Sequence, residues 1–534
     1  MTLTDSYCAG SRDAPVQDLT VGEALRAAAA RWPDRMGLVE ADIEGVLGRA
    51  WTFAELRDDA QRLATALETR YAPGERIAIW APNVPEWVLL EFAAAFAGLT
   101  LVTANPAYRP RELKFVLEQS RAVGLFLVPE FRGNPMAEIA AEVRAELPGL
   151  REIVEMTDPA ALYAQGGGRR APSVVGPGDP AQIQYTSGTT GFPKGAVLHH
   201  RGLLNNARLV FERAGAVEGE TVLNFMPMFH TSGCACLTLG SLQAGCRMII
   251  AKLFDPSRML DLVESEKASF LLGVPTMLVG LLEAQAARPR DISSIRMAVS
   301  GGAMVPPDLV RRVMTTFGCG FETVYGQTES SPVVTQTQAA DSFEDLCETV
   351  GPPLPNTEIS IRDPASGAVV PIGDVGEICA RGYCVMLEYN DNAAATAQAI
   401  DADGWLRTGD LGTMDARGYV RVTGRVKEMI IRGGENLFPA EIENVLLEHP
   451  DVAEVAVVGV SDPRWGEVVA CFVRLSAGAA LDPAALRAHC RAQLAPQKTP
   501  ALWFAVDAWP LTGSGKIQKF VLRDRYVAGE FASA

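Results

Sequence analysis

The sequence predicts an α/β fold divided into at least two domains, and two observations predict it. Helical periods alternate with short β-branched runs along almost the whole chain, as in strands and helices packed in layers. The texture also changes near Arg421–Lys427, after which roughly a hundred residues form a compact helix-and-strand set with enough apolar side chains for their own core. The 534 residues are too many for one ordinary core. The boundary is expected near 424, giving domains 1–424 and 425–534.

In chain order, Val21–Arg31 reads as an amphipathic helix and Arg76–Trp80 as a strand. The most apolar stretch, Trp87–Val102, is broken by Glu91 and Gly98. It falls short of the ~20 residues of a spanning helix and reads as a buried helix running into a strand. Glu112–Gln119 is helical again, and a Gly/Pro-rich patch runs from Gly166 to Pro180. Ala181–Tyr185 and Ala196–Leu198 are strand-like, as are Arg247–Ala251 and Phe270–Gly273, while Pro256–Glu266 and Pro307–Thr316 are helical. Beyond 424 the expected elements are helix Ala440–Glu448, strands Val452–Val460 and Val468–Leu475, and helix Pro483–Leu494.

Lys and Arg total 48 against 64 Asp and Glu, and the net charge of −16 argues against nucleic acid or an anionic membrane as the main partner. No transmembrane segment is expected, and no basic-then-apolar leader opens the sequence, so the expected location is cytoplasmic. The ten cysteines show no two-residue spacing of a zinc or redox motif and read as buried free thiols. The sequence leaves oligomeric state open, a homodimer included.

Tyr185-Thr-Ser-Gly-Thr-Thr-Gly-Phe-Pro-Lys-Gly195 crowds three glycines, four hydroxyl-bearing Ser and Thr residues and one lysine into a loop between two strand-like segments. Glycines let backbone N–H groups close on an anion. Thr186, Ser187, Thr189 and Thr190 add hydroxyl donors, Gly188 adds a flexible backbone, and Lys194 adds positive charge. The spacing does not fit GxxxxGK[ST], which disfavours a P-loop kinase or GTPase. Tyr325-Gly-Gln-Thr-Glu329 sets an aromatic face, a flexible glycine, a hydroxyl and a carboxylate within five residues, a set suited to a nucleotide with its metal.

The loop resembles the signature phosphate loop of the adenylate-forming superfamily of AMP-binding enzymes, and the chain is similar in particular to its acyl-CoA synthetase branch. The likeness runs from about Thr20 to Lys519 through six ordered motifs. It implies a large N-terminal domain of α/β layers plus a distorted β-barrel, with a small mobile α+β C-terminal domain. It also implies an AMP-forming acid:thiol ligase that uses ATP, Mg2+ and coenzyme A. The resemblance assigns adenine stacking to Tyr325, beside Gly326, with Thr328 on phosphate and Glu329 on Mg2+. Ser300-Gly301-Gly302-Ala303 resembles the adenine-side strand end. Asp410, read as closing a glycine turn in Trp405–Asp410, would accept from both ribose hydroxyls, and Arg425 would contact the ribose and phosphate end. Lys516, in Leu511-Thr-Gly-Ser-Gly-Lys516, would stabilise charge developing on the carboxylate and α-phosphate; acylation there would remove that charge. Catalytic roles are thereby implied for Lys516, Thr186, Glu329 and His230.

By the same resemblance the C-terminal domain rotates between the two half-reactions about a hinge at Lys427. Gly433 and Gly434 line the pantetheine channel. Trp465 reads either as a stacking partner for the CoA adenine or as a core tryptophan. Thr499 and Ala501 stand where Arg or Lys is common, leaving Lys498 alone for the CoA phosphates. Pro227-Met-Phe229-His230-Thr-Ser-Gly233 resembles the acyl-site segment, with His230 as an uncharged gate. Phe229, Gly302 and Ser330 to Val334 share the wall. Gly233, Cys234, Ala235 and Cys236 suggest room for a medium aliphatic, alicyclic or aryl acid. Two further readings compete: an adenylating enzyme with a carrier-protein acceptor, and a non-catalytic nucleotide-binding scaffold.

Overall fold

The computed structural model describes residues 3–167, 174–186, 193–476, 478–510 and 517–531. Contacts divide the chain into two compact units: 1–7, 360–379 and 408–534 in one, 8–359 and 380–407 in the other. Every crossing between them falls inside a β-strand (Tyr7–Ala9, Thr357–Arg362, Gly376–Gly382 and Leu406–Met414), so the position expected as a boundary, 424, lies within the first unit.

The larger unit is built on two sheets. One runs Glu388–Tyr389, Lys194–His199, Pro180–Thr186, Thr100–Ala104, Arg76–Trp80, Gly124–Leu127, Glu152–Glu155. The other runs Val333–Gln336, Gly320–Gly326, Met297–Gly301, Phe270–Gly273, Thr221–Asn224, Arg247–Ala251, Met36–Ala41, Leu47–Thr52. Their central strands are parallel; antiparallel strands close both ends of the second sheet and the Glu388–Tyr389 end of the first, whose other end, Glu152–Glu155, is parallel. Parallel strands are covered on both faces and read as unbroken apolar runs. Ile77, Ala78, Ile79 and Trp80 are accordingly all fully buried.

Local chemistry sets the helix ends. Thr20 and Glu23 form a capping box at Val21–Arg31, and Thr52 and Glu55 form another at Phe53–Glu68. The apolar stretch forms helix Pro85–Ala97 with proline in its first turn, then strand Thr100–Ala104. No helix among the described residues is long and apolar enough to cross a membrane. Eight of the ten cysteines are buried and none of the ten is in a disulfide; Cys8 and Cys347 are partly exposed.

The smaller unit has its own antiparallel sheet, Glu435–Leu437, Ile430–Arg432, Gly466–Leu475, Val452–Asp462, with Leu502–Ala505 added in parallel to Gly466–Leu475. Helix Pro439–Leu447 begins one residue before its expected start, and Pro483–Gln493 ends one residue early. Separate apolar clusters cover the two faces of the long hairpin, one around Trp503 and Val457, the other around Phe472 and Phe504.

Candidate adenylation site

In the larger unit the strands Pro180–Thr186 and Lys194–His199 pair with Thr186 opposite Lys194. The Thr186 hydroxyl donates to the Lys194 carbonyl at 3.4 Å, closing the base of the loop between them. Lys194, expected within the loop, opens the returning strand. Ser187, Gly188, Thr189 and Thr190 lie outside the described residues.

Lys194 Nζ stands 4.8 Å from the ring centroid of Tyr389, a residue the sequence reading did not single out. Tyr389 ends a two-residue strand that pairs it with Ala196. Its hydroxyl donates to Glu329 Oε1 at 2.6 Å, and the Glu329 main-chain carbonyl accepts from Met386 at 2.8 Å. Burial first, then the Glu329 charge and hydrogen bond, push the Tyr389 hydroxyl well above the usual phenol range, so it remains a donor. One cation, one aromatic hydroxyl and one carboxylate thus converge at the base of the loop between these strands.

Glu329 is 8% exposed and lies in the short turn Thr328–Ser330. Among the described residues no group of three or more His, Cys, Asp or Glu could hold a metal. A lone carboxylate suits Mg2+, which keeps most of its water and takes further oxygens from nucleotide phosphates. Tyr325 is half-buried in Gly320–Gly326, opposite Thr335. Gly326 follows it because a Cβ there would fall 2.0 Å from the Pro332 carbonyl. Thr328 is buried, and the Ser330 hydroxyl is spent on the Gln327 and Pro332 carbonyls, so Ser330 offers packing rather than polarity. Val334 is fully buried in the adjoining strand. Gly301 ends strand Met297–Gly301, and Gly302 and Ala303 follow as exposed residues.

Gly233, Cys234, Ala235 and Cys236 are buried within a π-helix, Ser232–Leu239. A Cβ on Gly233 would fall 2.4 Å from the Pro227 carbonyl, and the Cys234 thiol is engaged with Gln182 and Gln184. At Gly233 the absence of a side chain permits this close backbone approach. Phe229 is half-buried and His230 exposed at the tip of the preceding turn.

In the smaller unit Asp410 sits within strand Leu406–Met414, correcting the expected glycine turn; Gly409 takes a positive φ without ending the strand. Asp410 is 6% exposed, pairs in register with Arg425, and its Oδ1 lies 2.9 Å from Arg425 Nε. Lys427 is exposed in the short helix Val426–Glu428. Gly433 and Gly434 make the two-residue turn of a hairpin, at φ 60° and 87°, the signs such a turn demands. Trp465 is 40% exposed, which sets aside the core reading. The Arg464 and Arg432 guanidiniums lie 4.9 and 5.5 Å from its ring. Lys498 is paired with Glu441 at 2.5 Å, and Thr499 is buried. Lys516 lies outside the described residues.

The AMP-binding enzyme model matches residues 25–390, and the AMP-binding enzyme C-terminal domain matches 441–516. A putative acyl-CoA synthetase, YngI, of Bacillus subtilis (strain 168) is 36% identical over 95% of this chain and 97% of its own. The mitochondrial medium-chain acyl-CoA ligase ACSF2 of Macaca fascicularis is 35% identical over 97% of this chain and 89% of its own. The structure of O-succinylbenzoate coenzyme A synthetase (MenE) from Bacillus subtilis, in complex with ATP and magnesium ion, superposes with a TM-score of 0.82 at 29% identity, covering 95% of this chain and 100% of that one.

Proposed function

The chain belongs to the AMP-binding enzyme family and is an AMP-forming acyl-CoA synthetase, and from that premise we propose that it activates a medium-chain aliphatic acid. Support for the acid class comes from the medium-chain ligase among its relatives. The observation that carries the site assignment is the convergence of Lys194, Tyr389 and Glu329 beside the hairpin base at Thr186.

In the first half-reaction the substrate carboxylate attacks the α-phosphorus of ATP and pyrophosphate leaves. The acid is already ionised near neutral pH, so no general base is required, and His230 acts as a gate. Lys194 faces the phosphates while Tyr325 offers its ring to adenine. Asp410 accepts from the ribose hydroxyls, and Arg425 donates to the ribose and phosphate end. Glu329 would hold Mg2+, which when bound neutralises phosphate charge; Tyr389 fixes the carboxylate that holds it. Lys516 meets charge developing on the carboxylate and α-phosphate, and its acylation would remove that contribution. In the second half-reaction the CoA thiol attacks the acyl carbon and AMP leaves. The hairpin turn at Gly433–Gly434 accommodates the narrow pantetheine, Trp465 takes the CoA adenine, and residues 425–534 turn about Lys427 between the two steps.

The test is pyrophosphate release with ATP and Mg2+ across aliphatic, alicyclic and aryl acids, each with and without CoA. Release should be strongest with medium-chain aliphatic acids, and acyl-CoA should form only with CoA present. A preference for aryl or alicyclic acids would overturn the proposed acid class.

A further inference from the structure

The turn that carries Phe229 and His230 is held by residues far from it in sequence. Asn83 lies between strand Arg76–Trp80 and helix Pro85–Ala97 and is 7% exposed. Its Nδ2 donates to the carbonyls of Met226 at 2.9 Å and Ala251 at 3.2 Å, and its Oδ1 accepts from the Met228 N–H at 2.9 Å. One buried amide therefore ties both sides of Pro227 to the end of strand Arg247–Ala251. At the other end of the segment, Asn224 Nδ2 and the Thr238 hydroxyl both donate to the Gly233 carbonyl, at 3.2 and 2.8 Å. Between these anchors the His230 N–H closes a turn on the Pro227 carbonyl at 3.1 Å, and the Cys234 N–H returns to the His230 carbonyl at 3.2 Å. At the tip of this turn Phe229 is half-buried and His230 is exposed.

A turn pinned by buried amides at both ends has little freedom to relocate its tip. A side chain's position there is set by the frame, and sub-ångström displacement of a pocket wall changes which acids fit. We propose that Asn83 is a positioning residue for acid selection: it sets the depth of the acyl pocket by fixing the Met226–Met228 backbone beneath Phe229 and His230. This rests on the reading of Pro227–Gly233 as the acyl-site segment. Asn83 acts through the turn and not by contact with nucleotide or acid.

The experiment compares Asn83→Asp and Asn83→Ala with the parent enzyme, measuring kcat/KM for straight-chain acids of increasing length alongside the KM for ATP. Asp keeps the acceptor for Met228 and sets an anionic oxygen against two carbonyls; Ala removes all three bonds. Ratios between acids are independent of the folded fraction, so a partly unfolded variant still reports. The expected result is a shift of at least about fivefold in the ratio between short and long acids, with the KM for acid raised about tenfold and the KM for ATP changed less than about twofold. An unchanged ratio in both variants, whatever their melting temperature, overturns the proposal. His230→Ala is run in parallel. If it too leaves acid KM and ratio unchanged, the acyl-site reading falls; if it changes them while the Asn83 variants do not, the positioning role alone is lost.

Discussion

Tyr389 Oη donates a 2.6 Å hydrogen bond to Glu329 Oε1, linking a two-residue strand to a turn sixty residues earlier in the chain. The bond gives a carboxylate in a short turn a fixed orientation, which that turn alone does not guarantee. Because burial and the Glu329 charge keep the phenol protonated, the bond persists across the working pH range.

Tyr389→Phe removes the hydroxyl and keeps the ring beneath Lys194. Partners that orient a metal-holding carboxylate typically matter by 10–100-fold in affinity. The half-saturating Mg2+ concentration for acid-dependent pyrophosphate release should rise about tenfold, with the melting temperature little changed. An unaltered Mg2+ response would make Tyr389 a packing residue only.

Asp410→Asn separates a structural role from a binding one. Arg425 is 49% exposed, so its ion pair with Asp410 should add less than about 1 kcal/mol to stability, and the melting temperature should hardly move. A ribose that loses one of two charged acceptors loses about 1.5–3 kcal/mol, so the KM for ATP should rise at least about tenfold. A large loss of thermal stability with unchanged KM for ATP would reverse the assignment.

The elements legible in the sequence were those whose causes are local. Val21–Arg31 has its capping box within four residues, and the apolar run from Trp87 has its break at Gly98. The pairing of Thr186 with Lys194 and the placing of Tyr325 near Glu329 are legible for the same reason: each pair lies close together along the chain. Tyr389 and Asn83 were not, because each acts across a long separation and neither sits in a glycine-rich or charged motif. The small residues after His230 are ambiguous in the sequence: smallness allows either an open pocket or close backbone packing, and at Gly233 the Pro227 carbonyl leaves no room for a Cβ.

Trp465→Ala should separate the two half-reactions. Stacking of a base on an exposed aromatic contributes about 1–3 kcal/mol. The KM for CoA should therefore rise at least about fivefold, while pyrophosphate release without CoA stays at the parent rate. Equal loss in both assays would place Trp465 in the fold of the smaller unit instead.

Two buried groups in the larger unit oppose each other in pH dependence. Glu322 is fully buried, with Oε2 accepting from Gln336 Nε2 at 2.6 Å and no partner for Oε1 among the described residues; burial pushes its carboxyl up to about 7. Its folded form holds a proton that the unfolded chain has released. The stability it contributes is present below about pH 4.5 and is lost as pH rises to about 7, roughly 3 kcal/mol in all. His200 is buried with Nδ1 accepting from the Val21 N–H, and burial pushes it down to about 4. Its contribution is present above about pH 6.5 and is lost as pH falls to about 4, a similar amount of opposite slope. His199, lowered by burial, adds in the direction of His200. The two slopes largely cancel in the parent protein between pH 4.5 and 6.5. Glu322→Gln removes one of them, so the melting temperature of the variant relative to the parent should climb by several degrees from pH 4.5 to 7. A difference that stays constant over that range would mean that Glu322 titrates as an ordinary carboxylate in the folded protein.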